Sequence, residues 1–394
     1  SSATPCLSSW PRSRSAGPPA DRICWPAMRT DRVDALAEIL TEYSIPLSKG
    51  AKVSIEAETV AEPLVLALYR RLLARGALVR LQTIVDAAEP IFYEEASGEQ
   101  LDFVWEPDRW LIENLDARFR ILAETNTKRL SQADPDKQAR ARKARRPQFE
   151  TFMRRSADKS LKWMVTLYPT EAYAMDADMS LAAYEDFYYQ ACLIDRPDPI
   201  SEWRQMAERQ AHLVDWLKGR KEVHIQGDGT DLKLGIEDRV FEQAAGEYNF
   251  PDGEIFTGPV EELTQGVVTF SYPAIEAGRR VEGIRLEFDQ GRVVKARAET
   301  NEEFLITTID TDPGARVLGE LGIGTNYGLT AFTGSTLLDE KIGGTIHLAL
   351  GASYPETGGR NQSAIHWDMV CDLRKGGRIT VDGEPLMEDG KLLV

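Results

Sequence analysis

The chain has no run of about 18 uncharged apolar residues, which excludes a membrane-spanning helix. It has four cysteines, Cys6, Cys24, Cys192 and Cys371, too few and too scattered for a disulfide framework or a paired-cysteine zinc site. A reducing, cytoplasmic setting is the resulting expectation. Basic charge is in deficit: 47 Lys and Arg against 63 Asp and Glu leave a net charge of −16, which repels phosphate backbones and argues against a nucleic-acid partner. Histidine is scarce, four in 394 residues, so a histidine set among other polar groups stands out. The zinc-protease pair HExxH, the nucleophile elbow GxSxG and the Walker A loop are all absent. What remains is an ordinary globular composition, 42% hydrophobic, on a chain long enough for two or three domains.

Residues 1–27 differ from the rest. Ser and Pro dominate, periodicity is lacking, and Arg12, Arg14 and Arg22 outnumber Asp21. There is no apolar stretch of the kind a secretory signal needs, and Pro11, Pro18 and Pro19 oppose an amphipathic transit helix. The expectation is a disordered or non-native leader, with Met28 as the initiator. From Thr30 the pattern sharpens. Val33, Leu36, Ile39 and Tyr43 recur at helical spacing. A strand at Lys52–Ala57, a helix at 61–74 and a buried strand at Leu78–Val85 make a βαβ unit, and so predict parallel pairing. Strands at Arg118–Ala123 and Lys162–Leu167 extend it. The basic run Arg140, Arg142, Lys143, Arg145, Arg146 reads as a solvated helix face. The Tyr184, Phe187, Tyr188 cluster reads as packing. Residues 28–219 are therefore expected to form an open α/β domain.

Near Arg220 the texture changes. Gly227-Asp228-Gly229 and Asp289-Gln290-Gly291 mark hairpins, and Asp382-Gly383 and Asp389-Gly390 mark a closing meander. Residues 220–394 are expected to form a β-rich α+β domain. One helix is predicted inside it, capped by Asp312, with Pro313 at its first position, running toward Glu320 and stopped by Gly322 and Gly324. The chemistry concentrates in this half. In Ala364–Val370 a period of two places His366 and Asp368 on one face and Ile365, Trp367 and Met369 on the other. Burying such a pair is costly unless something satisfies it. A divalent metal and a structural His–Asp hydrogen bond fit this spacing equally well. His347 interrupts another apolar strand, 344–351, where a lone histidine is more often a satisfied core residue than a ligand. Glu320, at the end of its predicted helix, gains nothing from the helix dipole and so suggests a cation partner. The donor set suits zinc, cobalt or manganese better than thiolate-seeking metals.

Several longer stretches carry a resemblance. They are Phe250-Pro251-Asp252-Gly253-Glu254-Ile255-Phe256-Thr257-Gly258-Pro259, Leu318–Asn326, Leu338–Gly351 with Tyr354 beyond it, and Ser363–Asp368. Together they resemble the metal-dependent aminopeptidases that include aminopeptidase T, aminopeptidase S and PepS, from about Met28 to Val394. The resemblance implies a catalytic C-terminal domain with two divalent metal ions, ligated by Glu254, Glu320, His347, His366 and Asp368. It implies Tyr354 as the catalytic tyrosine, and Glu320 or Glu340 as the proton-shuttling carboxylate. Peptides with a free N-terminus are the implied substrates, and a homodimer the implied assembly. The alternatives are another two-metal amidohydrolase or dipeptidase of narrow range, and a non-catalytic metal-binding protein.

Overall fold

The structure, a computed structural model, describes residues 27–276 and 278–394. The leader expected over residues 1–27 lies outside the described residues except for Ala27, where the first helix, Ala27–Ile39, begins. Five parallel strands follow in the spatial order Leu78–Ile84, Lys52–Glu58, Ala117–Leu122, Lys162–Leu167, Asn249–Phe250. The first four are the expected α/β strands. The fifth is two residues long and enters from beyond residue 220. Phe250 is buried in the N-terminal core, its ring 4.7 Å from that of Trp203, and Leu329, Leu338 and Ile342 join the same core.

The strand Leu78–Ile84 was expected to be buried, and it is not. It is the edge of the sheet, and Leu78 is 62% exposed. An apolar run reports strand propensity but cannot distinguish an edge from a centre. The basic run lies on the helices Pro135–Ala144 and Arg146–Ala157. Arg140 pairs with Asp102 and Arg146 with Glu150 at the surface. Tyr184, Phe187 and Tyr188 are buried in the core.

The remaining strands form two larger antiparallel sheets and a two-stranded ribbon, Ala274–Glu276 with Arg279–Val281. One has eight strands and contains all three expected hairpin and meander units. The other has five, in the order His366–Asp372, Thr345–Gly351, Leu318–Gly324, Glu254–Thr257, Glu242–Ala244. A second apolar core lies between them, joining Ile225, Leu232 and Leu286 of the large sheet to Leu321, Ile346 and Trp367 of the small one.

The helix predicted from Asp312 to Glu320 is a misreading. The helix is Glu302–Ile309, and Leu318–Gly324 is a buried strand at the centre of the small sheet. Asp312 caps nothing helical. Its carboxylate accepts from Gly314 N–H, Ser363 Oγ–H and Ala364 N–H, tying this loop to the approach of His366. Glycines disfavour a helix interior, and here their missing side chains admit neighbouring chains.

Asn326 joins the two halves. Fully buried, it donates through Nδ2 to the carbonyls of Ala191 and Asp252 and accepts from Gly328 N–H. Asn326→Ala strands two buried carbonyls. It should lower the unfolding free energy by about 2–4 kcal/mol, read from urea denaturation of metal-free protein. An unchanged midpoint would remove Asn326 as a tie between the halves.

Candidate metal centre

Register places the five expected ligands on one face of the small sheet. Glu254 lies opposite Gly324, Gly322 opposite His347, Glu320 opposite Ala349, Ala349 opposite Asp368, and Gly351 opposite His366. Directly paired residues share a face, so all five side chains leave the sheet on the side away from the apolar core. His366 and Asp368 alternate with core-facing Trp367 and Met369, as the period of two requires.

Glu320 sits at the centre. Its Oε2 is 3.0 Å from His366 Nε2 and its Oε1 is 3.5 Å from His347 Nε2. Glu254 Oε2 lies 3.3 Å from His347 Nε2, and Asp368 Oδ1 lies 3.6 Å from His366 Nε2. Donor atoms of Glu320, His347 and Asp368 fall within 4.8 Å of one another. His366 Nδ1 is 2.8 Å from the Ala352 carbonyl, which can only accept. That contact puts the hydrogen on Nδ1 and turns Nε2 toward the carboxylates, the usual orientation of a metal-binding imidazole. Three buried atoms have no hydrogen-bond partner: Glu254 Oε2, His347 Nδ1 and Asp368 Oδ1. Unsatisfied buried polar atoms are costly. Carboxylate oxygens and imidazole nitrogens on one face suit one or more hard-to-borderline divalent cations.

The comparisons with known proteins bear on the same residues. Residues 29–392 match the family described as thermophilic metalloprotease (M29). Aminopeptidase T of Thermus thermophilus is 27% identical, aligned over 91% of this chain and 95% of its own length. Aminopeptidase 2 of Geobacillus stearothermophilus is also 27% identical, over 91% and 97%. The solved structure of wild-type AmpT from Thermus thermophilus superposes with a TM-score of 0.79 at 26% identity, covering 92% of this chain and 99% of that one. The chain belongs to the thermophilic metalloprotease family M29.

The buried carboxylates and histidines on this face shift one another's proton affinity. Burial alone would raise Glu320, but the two histidines carry it down to about 2. Burial alone would lower His347 and His366, but the surrounding carboxylates raise them to about 9 and about 10. Burial pushes Asp368 well above the carboxylate range and raises Glu254 as well. Protons on the histidines thus stand in for cations.

Two further site residues of this M29 chain were expected. Tyr354 follows the strand Thr345–Gly351 and is 38% exposed, its ring 5.1 Å from that of His366 and 5.5 Å from that of Phe256. Glu340 follows the short helix Thr336–Asp339, and its Oε2 lies 2.6 Å from Lys341 Nζ. Glu340 and Asp368 line a cavity of about 20 Å³ with Ile275, Phe332 and Val370. A cavity of about 200 Å³, which shares Ile275 and Gly334 with it, reaches Leu122 and Leu167 at the ends of the parallel strands. A further cavity, of about 730 Å³, touches none of these residues.

Sequence reasoning missed two participants. Gly322 is the floor under His347: a Cβ there would fall 1.9 Å from the imidazole Cε1 and 2.1 Å from Nε2. Lys341, buried between Glu254 and Glu340, follows Asp339 and Glu340 directly in sequence, where a lysine beside two acids reads as an ordinary surface charge.

Gly322→Ala should displace the imidazole and cost about 10–100-fold in metal affinity with the fold retained, checked by calorimetric titration and circular dichroism. Wild-type affinity in that variant would contradict the packing described. In the metal-free protein the raised histidines stabilise the fold fully below their unfolded value, near 6.5, and that stabilisation is lost as pH rises through about 9 and about 10. The raised carboxylates act in the same direction, whereas the stabilisation from Glu320 is present throughout this range and is lost only as pH falls from about 4.5 toward about 2. The Tm of chelated protein should therefore fall from pH 6.5 to 10, and that of metal-loaded protein should fall less; parallel curves would contradict this.

Proposed function

We propose that the chain removes N-terminal residues from peptides at a centre holding two divalent metal ions, zinc, cobalt or manganese. The observation that carries the two-ion reading is Glu320, which turns one oxygen toward each histidine. Glu254 and His347 would hold one ion, His366 and Asp368 the other, and Glu320 would bridge them. Bound there, the ions supply a water of lowered pKa and polarise the scissile carbonyl.

The chain's own groups do the rest. Both oxygens of Glu320 face histidines, so Glu320 would be taken up in holding the metal. Proton transfer falls to Glu340, through the oxygen that Lys341 does not hold. Burial among carboxylates raises the Tyr354 phenol, so it keeps its proton at neutral pH and can donate to the oxyanion of the tetrahedral adduct. The cavity of about 200 Å³, next to the small one at Asp368, offers room for the peptide. The excess of acidic residues suits a cationic N-terminus. Two buried free thiols, Cys192 and Cys371, fit a cytoplasmic setting, and no described helix is long and apolar enough to cross a membrane. The division between residues 219 and 220 and the homodimer are part of this reading.

One observation favours a narrower hydrolase. The cavity beside Asp368, about 20 Å³, holds little more than a water molecule and would restrict the substrate residue placed in it.

Release of leucine from a leucine reporter amide tests the function. It should be abolished by chelation and restored by zinc, cobalt or manganese. Bound metal without release would favour the narrow hydrolase, and no bound metal would overturn the ligand set. Glu254→Ala and His366→Ala should lose metal and activity with the fold retained. Tyr354→Phe should keep its metal and lose about 10²–10³ in kcat; unchanged turnover would remove Tyr354 from the mechanism.

A further inference from the structure

Lys341 is 1% exposed, and its Nζ lies 2.9 Å from Glu254 Oε1 and 2.6 Å from Glu340 Oε2. The backbone around it is fixed: Lys341 N–H donates to the Leu338 carbonyl, and the Lys341 carbonyl accepts from Asn326 N–H. A buried ammonium is costly unless paired, and this one is paired twice. Two consequences follow. Glu254 Oε1 is engaged, so Oε2, which has no hydrogen-bond partner, is the oxygen left for an ion. The charge of the pocket also changes. Glu254, Glu320, Glu340 and Asp368, with the buried Asp252 beside Lys341, carry five negative charges when ionised, and Lys341 cancels one of them. Two divalent ions would then balance the remaining four, and without Lys341 one negative charge would be left over.

The geometry points to Lys341 as a positioning residue that restricts Glu254 to one metal-facing oxygen and offsets one carboxylate charge. It thereby trades metal affinity for a less negative reacting centre. This inference rests on the two-ion reading above. A lysine that merely filled space would do neither, and its loss would loosen the ligands and weaken binding.

The two roles predict opposite signs. Chelator-treated wild type, Lys341→Met and Lys341→Arg are titrated with cobalt(II) alone by calorimetry, and the visible absorption of the loaded proteins is recorded. Methionine keeps the volume without the charge, and arginine keeps the charge. Lys341→Met should bind cobalt at least about tenfold more tightly, because a cation has left the neighbourhood of the ions. Its visible spectrum should shift as Glu254 gains its second oxygen. At saturating cobalt its kcat should fall about tenfold or more, with KM changed less than about threefold. Lys341→Arg should stay within about threefold of wild-type affinity. Should Lys341→Met fail to fold, Lys341→Gln, which can still donate to both carboxylates, carries the same expectation of tighter binding. Equal or weaker cobalt binding in the folded uncharged variant overturns the role of Lys341 and leaves the metal reading standing. A wild-type protein that binds no cobalt overturns both.

Discussion

Glu320 is the constraint around which the rest of this M29 chain is arranged. A buried carboxylate with a histidine at 3.0 Å from one oxygen and another at 3.5 Å from the other needs positive charge on both sides. Without metal, protons on His347 and His366 supply it. Around Glu320 the backbone is built to keep the geometry. Gly322 leaves room for one imidazole, and the Ala352 carbonyl orients the other. Lys341 holds Glu254 and Glu340 from behind.

The small antiparallel sheet makes this possible because its two faces have opposite tasks. One packs Leu321, Ile346, Leu348 and Trp367 against the large sheet. The other carries Glu254, Glu320, His347, His366 and Asp368, the last of which lines the small cavity beside Ile275. Strand alternation couples the two, so a one-residue slip would bury the ligands and expose the core. Asn326 and Phe250 anchor the arrangement to the N-terminal half, Asn326 through the carbonyl of Asp252, two residues before Glu254.

Some of this was legible in residue patterns alone. The period of two at His366 and Asp368, the parallel βαβ start and the three glycine-marked hairpins each rest on local physics, and local physics decided them. Glu320 was misassigned to a helix end because Asp312 and Pro313 imitate a helix start. The glycines at 319, 322 and 324 are there for close approach between strands and not as a stop. The exposed edge at Leu78 and the two-residue strand Asn249–Phe250 depend on which strands become neighbours, and no local pattern records that. The joint identity of Glu254, His347, Glu340 and Tyr354 came from the family resemblance. By spacing alone His347 read as a core residue. The role of Gly322 lies in an atom the residue lacks, so composition could not reveal it.

The central claim is that Glu320 bridges two ions held from opposite sides. The most direct measurement is an anomalous difference map from crystals grown with cobalt(II). The account predicts two peaks flanking the Glu320 carboxylate, one within bonding distance of Glu254 and His347 and the other of His366 and Asp368. A single peak bound through one Glu320 oxygen, or peaks away from this face of the sheet, would contradict it.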